Sequence, residues 1–357
     1  MTPLLPDDLT ETPIERAETI PSAWYTAPEF HTRDLQHVIA PSWQYLGHQA
    51  ELPLPGDYLR AEIAGQPLVL VRDTSGEIRA FYNVCKHRGG PLVTQDRGNV
   101  RLLQCQYHGW TYRLDGDLRG VPRMDRCELF DRSAFALSPI ALEQWHGLLF
   151  VAIDPPPQPL EAHLGGIADR IAPLSPSRLR PHARIWYDVA CNWKVYVDNY
   201  LEGYHLPLVH PELCTVLDVK GYETETFPTY SLQYSPLRDG DGLYGEGQAF
   251  YYFVFPNLML NILPGRIQVN RVDPIAPDRC RVLFAYAYED VSSPEAQKKI
   301  AEDQAFSDRV QQEDIDICEH VQKGLSSRAY DRGRFSPDEE QGVHHFQALL
   351  KRAYAQT

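Results

Sequence analysis

The chain of 357 residues has no apolar run approaching the roughly 20 residues that a membrane-spanning helix needs. Its first residues, MTPLLPDDLTETPIERAETI, lack a positive n-region and a continuous apolar h-region, so no secretory signal is expected and a cytoplasmic location is. Positive charge is in deficit: 34 Lys and Arg stand against 48 Asp and Glu, a formal net charge of −14. That balance argues against binding nucleic acid or an anionic membrane surface. The seven cysteines are an odd number without framework spacing, which speaks against a disulfide scaffold. There is no internal repeat and no low-complexity tract. No GxGxxG follows a strand and no C-x4-C-x2-C run is present, which excludes a dinucleotide fingerprint and a plant-type ferredoxin motif.

What is present is an ordinary globular composition, 43% hydrophobic and 23% charged, in a chain long enough for two domains. Two cysteine–histidine pairs stand out, Cys85-Lys-His87 and Cys105-Gln-Tyr-His108, with 17 residues between them. Two thiolates on one iron and two imidazoles on the other define a Rieske [2Fe-2S] centre. Two Cys and two His are also a sufficient tetrahedral zinc set, so a zinc-stabilised structural protein is the rival reading. Zinc fingers group Cys with Cys and His with His, whereas each short loop here supplies one of each. Gly89, Gly90 and Gly109 beside the pairs leave room for backbone N–H groups to approach sulfur. Residues 43 to 153 resemble the Rieske family.

Around the pairs, GDYLRAEIAG, QPLVLVRD and EIRAFYNVC read as short strands separated by turns. A helix is expected from Ala27-Pro28-Glu29, with Phe30, Leu35 and Val38 available for packing, and a strand from Trp43. GLLFVAI, residues 147–153, reads as a closing strand, and DPPPQP, residues 154–159, as an extended linker. The expected organisation is an N-terminal helical segment (1–42) packing on the catalytic domain, a Rieske domain (43–155) and a catalytic domain (156–357). The fold class is α+β: an antiparallel β Rieske domain plus a larger catalytic domain of antiparallel sheet flanked by helices.

The second constellation lies in Asp198-Asn-Tyr-Leu-Glu202-Gly-Tyr-His205-Leu-Pro-Leu-Val-His210. On an uninterrupted helix His205 and His210 would sit roughly 140° apart. Pro207 and Pro211 relieve this, placing His205 at a helix end and His210 beyond a bend. A facial non-haem iron(II) site needs two His and one carboxylate. In FSDRVQQEDIDICEHVQKGL, helical spacing puts Phe306, Val310, Asp314, Ile317, Val321 and Leu325 in one inward stripe about 100° wide. A buried acid is costly unless paired or metal-bound, which singles out Asp314.

With both constellations present, the chain resembles the catalytic α subunit of Rieske non-haem iron oxygenases over nearly its whole length. The resemblance implies that Cys85, His87, Cys105 and His108 hold a [2Fe-2S] cluster and that His205, His210 and Asp314 bind a mononuclear iron. It implies a homotrimer in which Glu202, where most members have Asp, bridges His108 of one subunit and His205 of the next. Asn199 and Tyr204 are candidates for supporting the iron ligands. Dioxygen, a small organic substrate and a separate NAD(P)H-dependent reductase, acting directly or through a ferredoxin, are the implied partners. The C-terminal half is similar to the choline, glycine betaine and carnitine oxygenase branch, which implies oxidation or demethylation of an N-methyl or quaternary ammonium compound. Tyr251, Tyr252, Phe253, Phe255, Tyr286 and Tyr288 are candidate aromatic faces for such a cation. The alternatives are an aromatic ring-hydroxylating monooxygenase or dioxygenase and a cluster-only electron carrier.

Overall fold

Regular turns set the strand pattern of the smaller of two units. In the hairpin Asp57–Ile63/Gln66–Arg72 the two loop residues Ala64 and Gly65 both have positive φ, 48° and 74°, the geometry that matches the twist of paired strands. The computed structural model describes residues 4–174, 176–238 and 243–356. Its contacts divide the chain into one unit of Met1–Val38 with Glu161–Thr357 and a second of Ile39–Leu160. The division at Leu160 falls just after the proline-rich linker.

The Ile39–Leu160 unit contains three antiparallel sheets. A four-stranded sheet runs in the order Ile78–Tyr82, Gln66–Arg72, Asp57–Ile63, Arg97–Asn99, and a three-stranded one pairs Gln44–His48, Leu148–Ala152 and Ala141–Trp145. The third consists of the short strands Leu103–Gln104, Thr111–Tyr112 and Leu118–Gly120. Leu68, Val69, Leu70 and Val71 are all buried, because this strand is covered on both faces.

The larger unit is built on a seven-stranded antiparallel sheet in the order Arg180–Val189, Arg279–Tyr288, Arg266–Ala276, Leu258–Leu263, Gln248–Val254, Tyr230–Pro236, Glu223–Thr226. Helices Trp193–Tyr200, Pro294–Leu325 and Gln341–Ala355 accompany it. The 32-residue helix Pro294–Leu325 starts where Ser293 accepts from the Ala296 N–H at 3.2 Å and Pro294 occupies the first turn, a position where its missing N–H costs nothing. The N-terminal segment is tied into this unit. Trp24, Phe30 and Tyr354 stack with centroids 4.7–6.0 Å apart, and buried Asp34 accepts from Trp193 Nε1 at 2.8 Å and pairs with Lys194 and Tyr354. Both charges of the Asp34–Lys194 pair are fully buried, which is tolerable because each meets its counter-charge and further donors.

Candidate metal centres

The two Cys–His loops repeat one turn. Cys85 N–H donates to Gly90 O at 2.8 Å and Gly89 N–H to Cys85 O at 3.0 Å; Cys105 N–H donates to Trp110 O at 2.8 Å and Gly109 N–H to Cys105 O at 3.0 Å. Gly89 and Gly109 have φ of 75° and 74°, left-handed values that strain residues bearing a Cβ. A Cβ on Gly90 would lie 2.8 Å from Cys105 Sγ. Cys85 and Cys105 are buried, and the His87 and His108 rings lie 4.7 Å apart. His87 stacks on Trp110 at 4.8 Å. Burial pushes the Cys85 thiol up, and burial together with His108 pushes His87 below the ordinary imidazole value.

This donor set fits a [2Fe-2S] cluster: two buried sulfurs, two adjacent imidazoles, and a buried His87 Nδ1 with no partner among the described residues. Tyr112, unnoticed in the sequence, lies with its hydroxyl 3.3 Å from Cys85 Sγ while accepting the Lys86 N–H at 3.0 Å. Its proton is therefore directed to sulfur, the type of outer contact that tunes an iron–sulfur centre.

In the larger unit, helix Trp193–Tyr200 is capped by the Asn192 side chain on the Lys194 N–H. The expectation that His205 terminates a helix is corrected. The helix ends at Tyr200, His205 caps the start of a one-turn helix Leu206–Val209, and His210 caps its end. Pro207 sits in the first turn, where it fits without breaking anything. The two rings then converge at 5.1 Å.

Asp314 Oδ1 lies 2.9 Å from His210 Nε2 and 3.8 Å from His205 Nε2. One ligand atom from each of the three residues lies within 4.8 Å of the others. The opposite ring nitrogens are tied down: His205 Nδ1 to Glu202 Oε1 at 2.6 Å and His210 Nδ1 to Glu313 Oε2 at 2.6 Å. Glu202 Oε2 also accepts the His205 N–H at 3.0 Å. Each carboxylate fixes a tautomer with Nε2 free to bind metal. Burial acts to lower the His210 pKa, but Asp314 and Glu313 outweigh it and raise it above the usual value. Asn199 Nδ2 donates to Asp314 Oδ1 at 2.6 Å, whereas Tyr204 is 61% exposed and does not line the cavity beside the triad. Glu313 was missed; the adjacent acids of EDID were the available signal.

The inward stripe expected on the long helix also needs correction. Val321 is 42% exposed, and the buried residues are Ile300, Asp303, Phe306, Gln311, Ile315, Cys318, Gln322 and Leu325. The buried face is rotated by roughly 65° from the apolar one, because polar side chains point inward and find partners. Tyr196 Oη donates to Gln311 at 2.6 Å and the Asn192 N–H to Gln322 at 2.8 Å. Asp314 lies on the flank of the buried face, with its side chain 17% exposed.

The triad opens into a cavity of about 130 Å³. Tyr222, Tyr244, Tyr251, Phe284 and Phe306 contribute aromatic walls, and Arg266, Gln268 and Asn270 a polar strip. Of the six aromatics proposed from sequence only Tyr251 lines it. Tyr252 points to the other face of its strand, Phe253 and Phe255 pack on Phe346, and the Tyr286 and Tyr288 hydroxyls bond Ser307 and Asp303 on the long helix.

Comparison with known proteins resolves what this pair of centres belongs to. The Rieske [2Fe-2S] domain family matches residues 42–138, and the ring hydroxylating alpha subunit (catalytic domain) family matches residues 176–356. The chain belongs to the Rieske-type ring-hydroxylating oxygenase α-subunit family. It is therefore an oxidoreductase with a [2Fe-2S] cluster and a mononuclear iron, on the α+β fold expected of it. Within this oxygenase family it is 35% identical to the chloroplastic choline monooxygenase of Arabidopsis thaliana, over 95% of this chain and 83% of that protein. It is 31% identical to the carnitine monooxygenase oxygenase subunit of Escherichia coli K12, over 98% and 97% of the two chains. The solved structure of the quaternary ammonium Rieske monooxygenase CntA superposes with a TM-score of 0.88 at 28% identity, covering 99% of each chain. Naphthalene 1,2-dioxygenase from Rhodococcus shares the fold, with a TM-score of 0.82 at 20% identity. No helix among the described residues is long and apolar enough to cross a membrane.

Proposed function

We propose that this oxygenase hydroxylates an N-methyl carbon of a small quaternary ammonium compound, in the cytoplasm, with electrons from a separate NAD(P)H-dependent reductase acting directly or through a ferredoxin. The observation that carries the reading is the aromatic wall of the cavity beside His205, His210 and Asp314. Tyr222, Tyr244, Tyr251, Phe284 and Phe306 line it with aromatic rings, the surface that suits a cation with no hydrogen to donate. The choline and carnitine monooxygenase relatives support the same substrate class.

In this reading Cys85, His87, Cys105 and His108 hold the cluster, and His205, His210 and Asp314 hold the iron. When bound, the two groups supply one-electron transfer and reductive activation of dioxygen. The side chains do the remaining work. Asn199 keeps Asp314 oriented through its 2.6 Å hydrogen bond, and Glu313 and Glu202 hold the two imidazoles. Glu202 also bridges to His108 of a neighbouring subunit in a homotrimer; the exposed side chains of Tyr107 and Tyr204, next to the two histidines concerned, are compatible with such a contact.

The test is anaerobic purification with metal and sulfide analysis, followed by reductase-dependent oxygen consumption over a panel of N-methyl and aromatic compounds. Formaldehyde and the corresponding tertiary amine formed in step with oxygen uptake from a quaternary amine support the reading. Coupled product from aromatic compounds alone refutes it, and zinc without sulfide refutes the cluster assignment.

A further inference from the structure

The strand Arg266–Ala276 alternates polar and apolar residues in RIQVNRV, yet all seven residues from Arg266 to Val272 are buried. In a sheet with one wet face the polar positions would meet water. Here Arg266, Gln268 and Asn270, which share one face, line the cavity beneath the long helix.

Acceptors in this strip are used up. Asp303 accepts from Tyr244 Oη at 2.7 Å, from Tyr288 Oη at 2.6 Å and from Arg266 Nη1. Gln268 Oε1 accepts from Arg266 Nη2 at 2.7 Å and from Ser307 Oγ at 3.2 Å, and Asn270 Oδ1 accepts from Gln268 Nε2 at 2.9 Å. Donors are left over. Arg266 Nε and Gln311 Nε2 are buried and have no partner among the described residues. Both residues line the cavity, and both are over nine-tenths buried, at 6% and 1% exposure. Buried polar groups are rarely left unpaired, so two unmatched donors in one cavity wall point to an acceptor that arrives with the ligand.

The other end of the cavity has the opposite character. Its two lining acids, Asp314 and Glu202, are committed to the histidines. A cation there meets aromatic faces, and the excess of donors lies along the Arg266 strip. On the long helix Gln311 is one turn from Asp314 and Ser307 two turns, so the strip leads away from the triad over about 10 Å.

We propose that Arg266 and Gln311 anchor a carboxylate of the substrate, so that the compound oxidised is a zwitterionic N-methylated amino acid and not an amino alcohol. The inference rests on the N-methyl reading of the previous subsection and narrows it. A carboxylate is acceptor-only and can take both unmatched donors at once; a hydroxyl brings a donor of its own to a wall already rich in them. Arg266, whose charge is already balanced by Asp303, supplies directional recognition through its unmatched Nε–H.

The experiment is equilibrium binding to the anaerobic holoenzyme, by calorimetry, of two matched acid–alcohol pairs. These are trimethylglycine with choline, and 4-(trimethylammonio)butanoate with 4-(trimethylammonio)butan-1-ol. The acid should bind about tenfold or more tighter than the alcohol in at least one pair, the scale expected for a charge-assisted hydrogen bond inside a dry site. Because Arg266→Gln alone strands the buried Asp303, the variant used is Arg266→Gln with Asp303→Asn, with Gln311→Leu as a milder second. Ferrous iron content and a thermal melt of the larger unit, which carries all three positions, check that each is folded. Both variants should bring acid and alcohol closer together, and the double variant should abolish the preference. Equal or tighter binding of the alcohols, or a preference that survives in the folded variants, overturns the carboxylate anchor and leaves the N-methyl reading standing. Binding of flat aromatics with none of the four probes overturns both.

Discussion

Glu313 offers the most direct test of how the proposed iron ligands are held. Its Oε2 lies 2.6 Å from His210 Nδ1, and the His210 side chain is 1% exposed, so the carboxylate meets a ring that is itself withdrawn from solvent. Glu313→Ala removes the acceptor that fixes the tautomer presenting Nε2 beside Asp314. Loss of such a partner costs about 10–100-fold in metal affinity, or about 1.4–2.7 kcal/mol. Glu313 is itself 39% exposed, and screening of its charge places the expectation toward the lower end of that range. The assay is anaerobic competition for ferrous iron against a chelator, with cluster absorbance read on the same sample. Glu313→Gln, which keeps an acceptor oxygen without the charge, should fall between the wild type and Glu313→Ala. Unchanged iron affinity in Glu313→Ala would refute the argument. Loss of the cluster signal in the same variant would also count against it, because the contact is local to His210.

Three further outcomes are expected. Glu202→Gln should keep both metals yet lose substrate-coupled oxygen uptake, and undiminished turnover would reject Glu202 as the bridge. Gly90→Ala puts a methyl group 2.8 Å from Cys105 Sγ, a contact that side-chain carbons do not tolerate; iron and sulfide should both fall, and a full cluster would show that the loop yields. Asp198 is partly buried, and desolvation, opposed by Tyr25, Gln347 and Lys194, raises its pKa to about 7. A carboxyl whose folded pKa lies above its unfolded value stabilises the fold at low pH and loses that contribution as pH rises through the folded pKa. Relative to Asp198→Asn, the wild type should therefore lose thermal stability between about pH 4 and 7, and parallel melting curves across that range would contradict the assignment.

Some of the architecture was legible because its physics is local. Strands such as Gln66–Arg72 and Leu148–Ala152 are short apolar runs between turn residues, and the Cys–His loops need glycine at set positions whatever surrounds them. The His205 and His210 pair was legible as chemistry but not as geometry, since proline was read as a breaker when it in fact opens the short helix Leu206–Val209. The long helix was legible in its extent and not in its orientation. Periodicity counts apolar residues, and the inward face here is built partly from Asp303, Gln311 and Gln322, each polar and each bonded.

By itself the sequence determined the two Cys–His loops, the His205 and His210 segment and the class of chemistry, because residue identity and loop spacing are properties of neighbouring residues; Asp314, 104 residues from His210, is brought beside it by the fold. Only the tertiary structure decided which atoms face the substrate. Tyr222, Tyr244, Arg266, Phe284, Phe306 and Gln311 come from strands, loops and a helix far apart in the chain. Their common cavity arises when a polar-striped strand is covered by a helix, and no local pattern records that contact. The Nδ1 partners of the iron histidines divide the same way. Glu202 lies three residues from His205, where the family resemblance implies a bridging carboxylate, whereas Glu313 reaches His210 across 103 residues of sequence and meets it only because the long helix packs against the turn that carries it.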